Sequence, residues 1–138
     1  MLYLDTSAFV PLFAREARSR DVVILLAAFP DPIVISPWVL AETQSALSLK
    51  VRTGALSGSD ASAARVRVTQ VASAYRVEAV VGADFEKAAE FLSTLTSPLR
   101  AADALHVALC ERIGAELLTF DIEMAAAASE IGLSIVKV

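Results

Sequence analysis

Four acidic side chains stand where they could share one cation. Asp5 closes the short apolar run Leu2 to Leu4, and Asp121 closes the apolar run Leu117 to Phe120. Glu42 lies a few residues into a segment opened by Ser36 and Pro37, and Asp103 begins the alanine-rich segment Ala101 to Ile113. Each has an ordinary alternative: Asp121 as a helix cap, Asp103 as a complement to a helix dipole, Asp5 as a turn residue, Glu42 as an exposed helical position. Two features favour a shared site. Asp103 is followed by Ala104, Leu105, Val107, Ala108 and Leu109, apolar nearly all round a helix, so this acid has little solvent face of its own. Asp5 and Asp121 both follow apolar strands. Clustered carboxylates repel one another unless a cation joins them, and an oxygen-only set suits Mg²⁺ or Mn²⁺ better than zinc.

The elements that must position these acids follow from periodicity and punctuation. Strands are expected at Leu2 to Leu4, Ile33 to Ile35, Val77 to Val81, Leu117 to Phe120 and Leu133 to Val136. Helices are expected over Glu16 to Phe29, Trp38 to about Lys50, Asp60 to Tyr75, Asp84 to Leu95, Ala101 to Ile113, and from Asp121 to Glu130. Pro30 to Pro32, Ser97-Pro98 and Gly114 punctuate them. Strands alternating with helices predict a mostly parallel five-stranded sheet covered on both faces. In such a sheet a site lies beyond the carboxyl ends of the strands, where Asp5 and Asp121 fall.

Composition narrows the class further. The chain has 138 residues, 56% of them hydrophobic and 20% charged, which predicts a single domain over residues 1–138 with a full core. Its longest apolar run, Val22 to Phe29, is far short of the roughly 20 residues of a membrane span. The N-terminus lacks the basic flank of a secretory signal, and Cys110 as the single cysteine excludes an intrachain disulfide, so a cytoplasmic home is expected. The net charge of −4 hides an asymmetry: Lys50, Arg52, Arg65, Arg67 and Arg76 face Asp60 alone between residues 50 and 76. That strip could bind a polyanion such as a nucleic acid locally, with Arg65 and Arg67 as candidate contacts, or be a solvated helix surface.

The stretches Leu4-Asp5-Thr6-Ser7-Ala8, Ser36 to Glu42, Asp103-Ala104-Leu105-His106 and Leu118-Thr119-Phe120-Asp121 resemble, in the same order, the motifs of PIN-domain nucleases. Size and motif wording look most like the VapC-type toxins of toxin–antitoxin pairs. The resemblance implies a three-layer α/β sandwich and endoribonuclease activity dependent on Mg²⁺ or Mn²⁺. It also implies 5′-phosphate and 3′-hydroxyl products, a homodimer, and inhibition by a cognate antitoxin. By the same resemblance Asp5, Glu42, Asp103 and Asp121 match the acidic quartet that holds metal and carries catalysis, and Thr6 and Thr119 match auxiliary hydroxyls.

Other chemistries fit less well. His106 and Cys110 share a helical face, but two or three ligands on one helix do not close a structural zinc site. A buried cysteine and a satisfied histidine are the commoner arrangement. No nucleophile-elbow or glycine-rich phosphate loop occurs. A receiver-like phosphotransfer domain would need a lysine at a strand end, whereas the lysines are Lys50, Lys87 and Lys137. A catalytically idle binding module of the same fold is the remaining alternative. Trp38, Phe9 and Phe13 read as core or interface residues rather than a base-stacking set.

Overall fold

The computed structural model describes residues 1–137. Four strands form its sheet: β1 (Leu2–Leu4), β2 (Ile33–Ile35), β3 (Arg76–Val77) and β4 (Glu116–Leu118). Their order is β3-β2-β1-β4, and every pair is parallel. β1 lies centrally, with Tyr3 opposite Val34 on one side and Leu117 on the other. Parallel neighbours require crossovers, which here are helices flanking the sheet. These are α1 (Thr6–Phe9), α2 (Ser19–Ala28), α3 (Pro37–Arg52), α4 (Gly58–Ala74), α5 (Gly82–Thr94), α6 (Ala101–Ile113) and α7 (Ile122–Glu130).

Sheet burial explains the near-continuous apolar strands. Leu2, Tyr3, Leu4, Val34, Ile35, Leu117 and Leu118 are all fully buried. Burying one such aliphatic side chain contributes about 1.5–3 kcal/mol. Helix α6 is enclosed too, with every residue from Ala104 to Cys110 buried. Phe9 and Phe13 meet edge to face in the core with ring centroids 4.8 Å apart, as expected from their apolar neighbours.

Caps set the helix ends where the sequence marks them. Ser36 Oγ accepts the Val39 N–H at 3.2 Å, with Pro37 at the first helical position. Gly114 ends α6 in the left-handed region, at φ 62°.

Three boundaries differ most from expectation. The fifth strand is reduced to one parallel bridge, Leu117 with Ile135, beside the turn at Gly132. β3 stops at Val77 instead of Val81. There Arg112 donates to Glu78 Oε1 at 3.2 Å and to the Ala79 carbonyl at 2.8 Å, drawing this segment toward α6 and away from a ladder. Helix α2 starts at Ser19, whose hydroxyl accepts the Glu16 N–H and donates to the Ala14 carbonyl, closing a turn over the expected first helical residues.

Candidate active site

Because β1 and β4 are parallel neighbours in matching register, Asp5 and Asp121 emerge on the same rim of the sheet. Helix α3 leaves that rim from the end of β2 and carries Glu42 on its second turn. The first turn of α6 brings Asp103. All four acids line one cleft of about 540 Å³, together with Thr6, Ser7, Lys50, His106 and Arg18. That volume is in the range of small-ligand sites.

Asp5 is the most enclosed, at 1% exposure. Its carboxylate caps α1 by accepting the Ala8 N–H at 2.9 Å, and accepts Thr119 Oγ1–H at 2.7 Å and Ser7 Oγ–H at 2.8 Å. Burial nevertheless pushes the Asp5 carboxyl above the usual aspartate range, against these hydrogen bonds. Both hydroxyls also accept a backbone N–H from the connection between β4 and α7: Phe120 N–H to Ser7, and Asp121 N–H to Thr119. Asp5 is thereby tied to the loop that carries Asp121. Asp121 does cap its helix, accepting the Met124 N–H at 2.8 Å through Oδ1, while also facing the cleft.

Glu42 accepts two hydrogen bonds on one oxygen. Oε2 receives Thr6 Oγ1–H in a short contact and His106 Nε2–H at 2.7 Å. Burial pushes this carboxyl up, but the bonds from His106 and Thr6 outweigh it and hold Glu42 below the usual range. Asp103 is half-buried, and burial followed by the charge of Asp121 pushes its carboxyl up. One acid held ionised beside others held high is the electrostatic pattern of a cluster that gains from a cation.

Thr6 and Thr119 therefore each touch an acid directly. Arg65 and Arg67 do not line the cleft. Arg65 donates to Gln44 Oε1 and Ser48 Oγ, both at 3.0 Å, tying α4 to α3. Arg67 donates to the Leu12 carbonyl at 2.7 Å and lies over the Phe13 ring. The cations at the cleft are Lys50, paired with Glu16 at 2.7 Å, and Arg18, whose guanidinium sits 5.7 Å from the Phe120 ring centre. Lys50 comes from the end of a helix, not from a strand end as a receiver domain would require. Cys110 points elsewhere, donating to the Ala115 carbonyl, and burial pushes its thiol up to about 12, so it forms no dyad with His106.

Sequence reasoning missed Ser7 and His106 as parts of the site. Ser7 stood in the quoted motif beside Asp5, two residues from the acid it touches. His106 stood in the quoted motif begun by Asp103, but nothing local marked its contacts, because its partners Tyr3 and Glu42 are 103 and 64 residues away.

The donors are oxygens, as a hard divalent cation requires. Among the described residues no three histidine, cysteine or carboxylate side chains are gathered tightly enough to enclose an ion alone. That arrangement fits a Mg²⁺-like ion, which keeps several waters and takes one or two carboxylates plus substrate phosphates rather than a protein cage.

The PIN domain family matches the chain over residues 2–130. Among solved structures, VapC20 of Mycobacterium tuberculosis, described as a sarcin-ricin loop cleaving toxin, is 26% identical, covers the whole of both chains, and superposes with a TM-score of 0.76. A FitAcB structure from Neisseria gonorrhoeae is 19% identical over 99% of this chain and 97% of that one, at 0.71. VapBC2 of Rickettsia felis, bound to a DNA fragment from its promoter, is 20% identical over 99% and 98%, at 0.70. No curated protein sequence matches the chain. No helix among the described residues is long and apolar enough to cross a membrane.

Proposed function

Because the chain belongs to the PIN domain family, we propose that it is an endoribonuclease of the toxin type, hydrolysing RNA phosphodiester bonds with Mg²⁺ or Mn²⁺ as cofactor. The observation that carries this reading is the convergence of Asp5, Glu42, Asp103 and Asp121, from four separate elements, on one cleft at the sheet rim. Nucleases of this family are generally dependent on divalent metals.

Asp5, Glu42, Asp103 and Asp121 would hold the cation between them, one or two directly and the others through its waters. When bound, it supplies a water of lowered pKa and positive charge beside the scissile phosphate. The chain's own residues do the rest. Thr119, Ser7 and the Ala8 N–H hold Asp5 in one orientation. Thr6 and His106 occupy Glu42 Oε2, so Oε1 carries no hydrogen bond among the described residues and is open to a ligand. Lys50 and Arg18 line the same cleft and supply positive charge for the phosphates flanking the cut.

The solved relatives include toxin–antitoxin complexes, which supports an antitoxin as partner. A homodimer belongs to the same reading. Incubating the protein with a structured RNA and Mn²⁺, then sequencing the ends, tests the activity. Cleavage that a chelator abolishes and Mn²⁺ restores is expected, and intact RNA under both conditions contradicts it.

A further inference from the structure

A continuous hydrogen-bonded chain runs behind the site. Ser36 Oγ lies 3.0 Å from the Tyr3 hydroxyl, and that hydroxyl lies 2.8 Å from His106 Nδ1. His106 Nε2 lies 2.7 Å from Glu42 Oε2. Ser36, Tyr3 and His106 are at most 2% exposed, so each hydrogen in the chain needs an acceptor within it.

That requirement fixes the direction. Glu42 is an acceptor when ionised, so Nε2 carries the hydrogen. Ser36 Oγ already accepts the Val39 N–H. If Ser36 donates to Tyr3, Tyr3 donates to Nδ1 and Nε2–H donates to Glu42, every hydrogen is used. In the reverse sense Nδ1–H donates to Tyr3 and Tyr3 donates to Ser36. The buried Ser36 hydroxyl hydrogen then has no acceptor among the described residues.

Resting on the nuclease reading above, we propose that Tyr3 and His106 are positioning residues for Glu42. Ionised Glu42 keeps the hydrogen on His106 Nε2, and the Tyr3 hydroxyl donates to Nδ1 and holds the ring in place. The Nε2–H pins Glu42 by Oε2, leaving Oε1 without a hydrogen bond among the described residues and available to a cation. The chain starts at the N-cap of α3 and ends on Glu42 of the same helix, crossing β1 and α6. It therefore locks the acid to the central strand as well as to its own helix. The same logic holds for metal sites generally, where partners behind a ligand set its orientation and losing one costs about 10–100-fold in affinity or activity.

His106 is the only histidine, so its ring nitrogens can be read without assignment. The test records ¹⁵N imidazole spectra of the full metal-free chain across a pH series. It also measures Mn²⁺ affinity by calorimetry, and kcat and KM on RNA. The wild type should show Nε2–H with Nδ1 as acceptor. Tyr3→Phe should move the Nδ1 resonance to that of an acceptor without a donor while Nε2 keeps its hydrogen, weaken Mn²⁺ binding by about tenfold, and lower kcat more than it raises KM. His106→Gln, which keeps an N–H to donate, should recover part of the affinity that His106→Ala loses.

An Nδ1–H wild-type spectrum overturns the proposal, as does a folded Tyr3→Phe with unchanged Mn²⁺ affinity. A wild type that binds no Mn²⁺ and cuts no RNA overturns the nuclease reading itself. That failure is distinct, because it appears before any variant is made.

Discussion

Thr119 makes the positions of two acids interdependent: its hydroxyl donates to Asp5 at 2.7 Å and accepts the Asp121 N–H at 3.0 Å. Ser7 repeats the pattern one residue along, between Asp5 and the Phe120 N–H. The β1 and β4 ends are thus fastened by side chains beyond the last ladder bond. Ser7→Ala should leave the half-buried Phe120 N–H without its side-chain partner, costing about 1 kcal/mol. It should also reduce cleavage by loosening Asp5. Denaturant melts and initial rates on one RNA check both, and an unchanged stability would refute the bridging role.

Asp103→Asn keeps the shape of the side chain and removes its charge. Loss of a proposed metal ligand should cost more than the 10–100-fold typical of outer partners. Stability should hold or rise, since burial and the Asp121 charge both oppose ionisation of Asp103. Wild-type cleavage by the variant would remove Asp103 from the site.

The cluster also predicts how the metal-free protein responds to acid. Asp5 and Asp103 are held above the ordinary aspartate value of 3.8. Their contribution to stability is complete below that value and is lost as pH rises through their folded values. Glu42 is held below its ordinary 4.5, so its contribution is present above that pH and lost as pH falls through its folded value. In a chelator, the melting temperature should therefore rise as pH is lowered from neutral toward the ordinary aspartate value and fall in stronger acid. A steady decline from pH 7 downward would contradict the clustering.

Cations on the cleft should govern RNA binding. Lys50→Gln should weaken it and reduce the salt slope by about one. Glu16→Gln, which frees Lys50 from its 2.7 Å pair, should tighten it. Arg65→Gln with Arg67→Gln should instead lower the melting temperature through the lost ties to α3 and to Leu12, with little change in slope. Filter binding across a salt series separates these outcomes.

The acids were legible in the sequence because three of the signals are local. Asp5 and Asp121 end apolar strands, and Asp103 heads a helix apolar all round, whose bounds at Ala101 and Ile113 match the structure through Gly114. Glu42 was the least legible: it lies in the polar stretch Glu42 to Ser45, and beside the resemblance its place on the helix after β2 was its one signal. What makes it distinct is contact with Thr6 and His106, both remote in the chain. The basic strip shows the opposite limit. Sequence locates positive charge on α4, but Gln44, Ser48 and Leu12 already occupy Arg65 and Arg67. Strand lengths were overread where Arg112 captures Glu78 and Ala79, an interaction spanning more than thirty residues.

A divalent-ion titration of thermal stability tests the shared site most directly, because it needs no knowledge of the RNA. An ion that binds only the folded site adds about 2.7 kcal/mol at a hundred times Kd. At 2–4 °C per kcal/mol that is a rise of roughly 5–11 °C. Mg²⁺ and Mn²⁺ should both produce it in the wild type, and Asp103→Asn should blunt it. A melting temperature that stays flat through millimolar concentrations of both ions, in wild type and variant alike, would mean that the four acids do not form a common metal site.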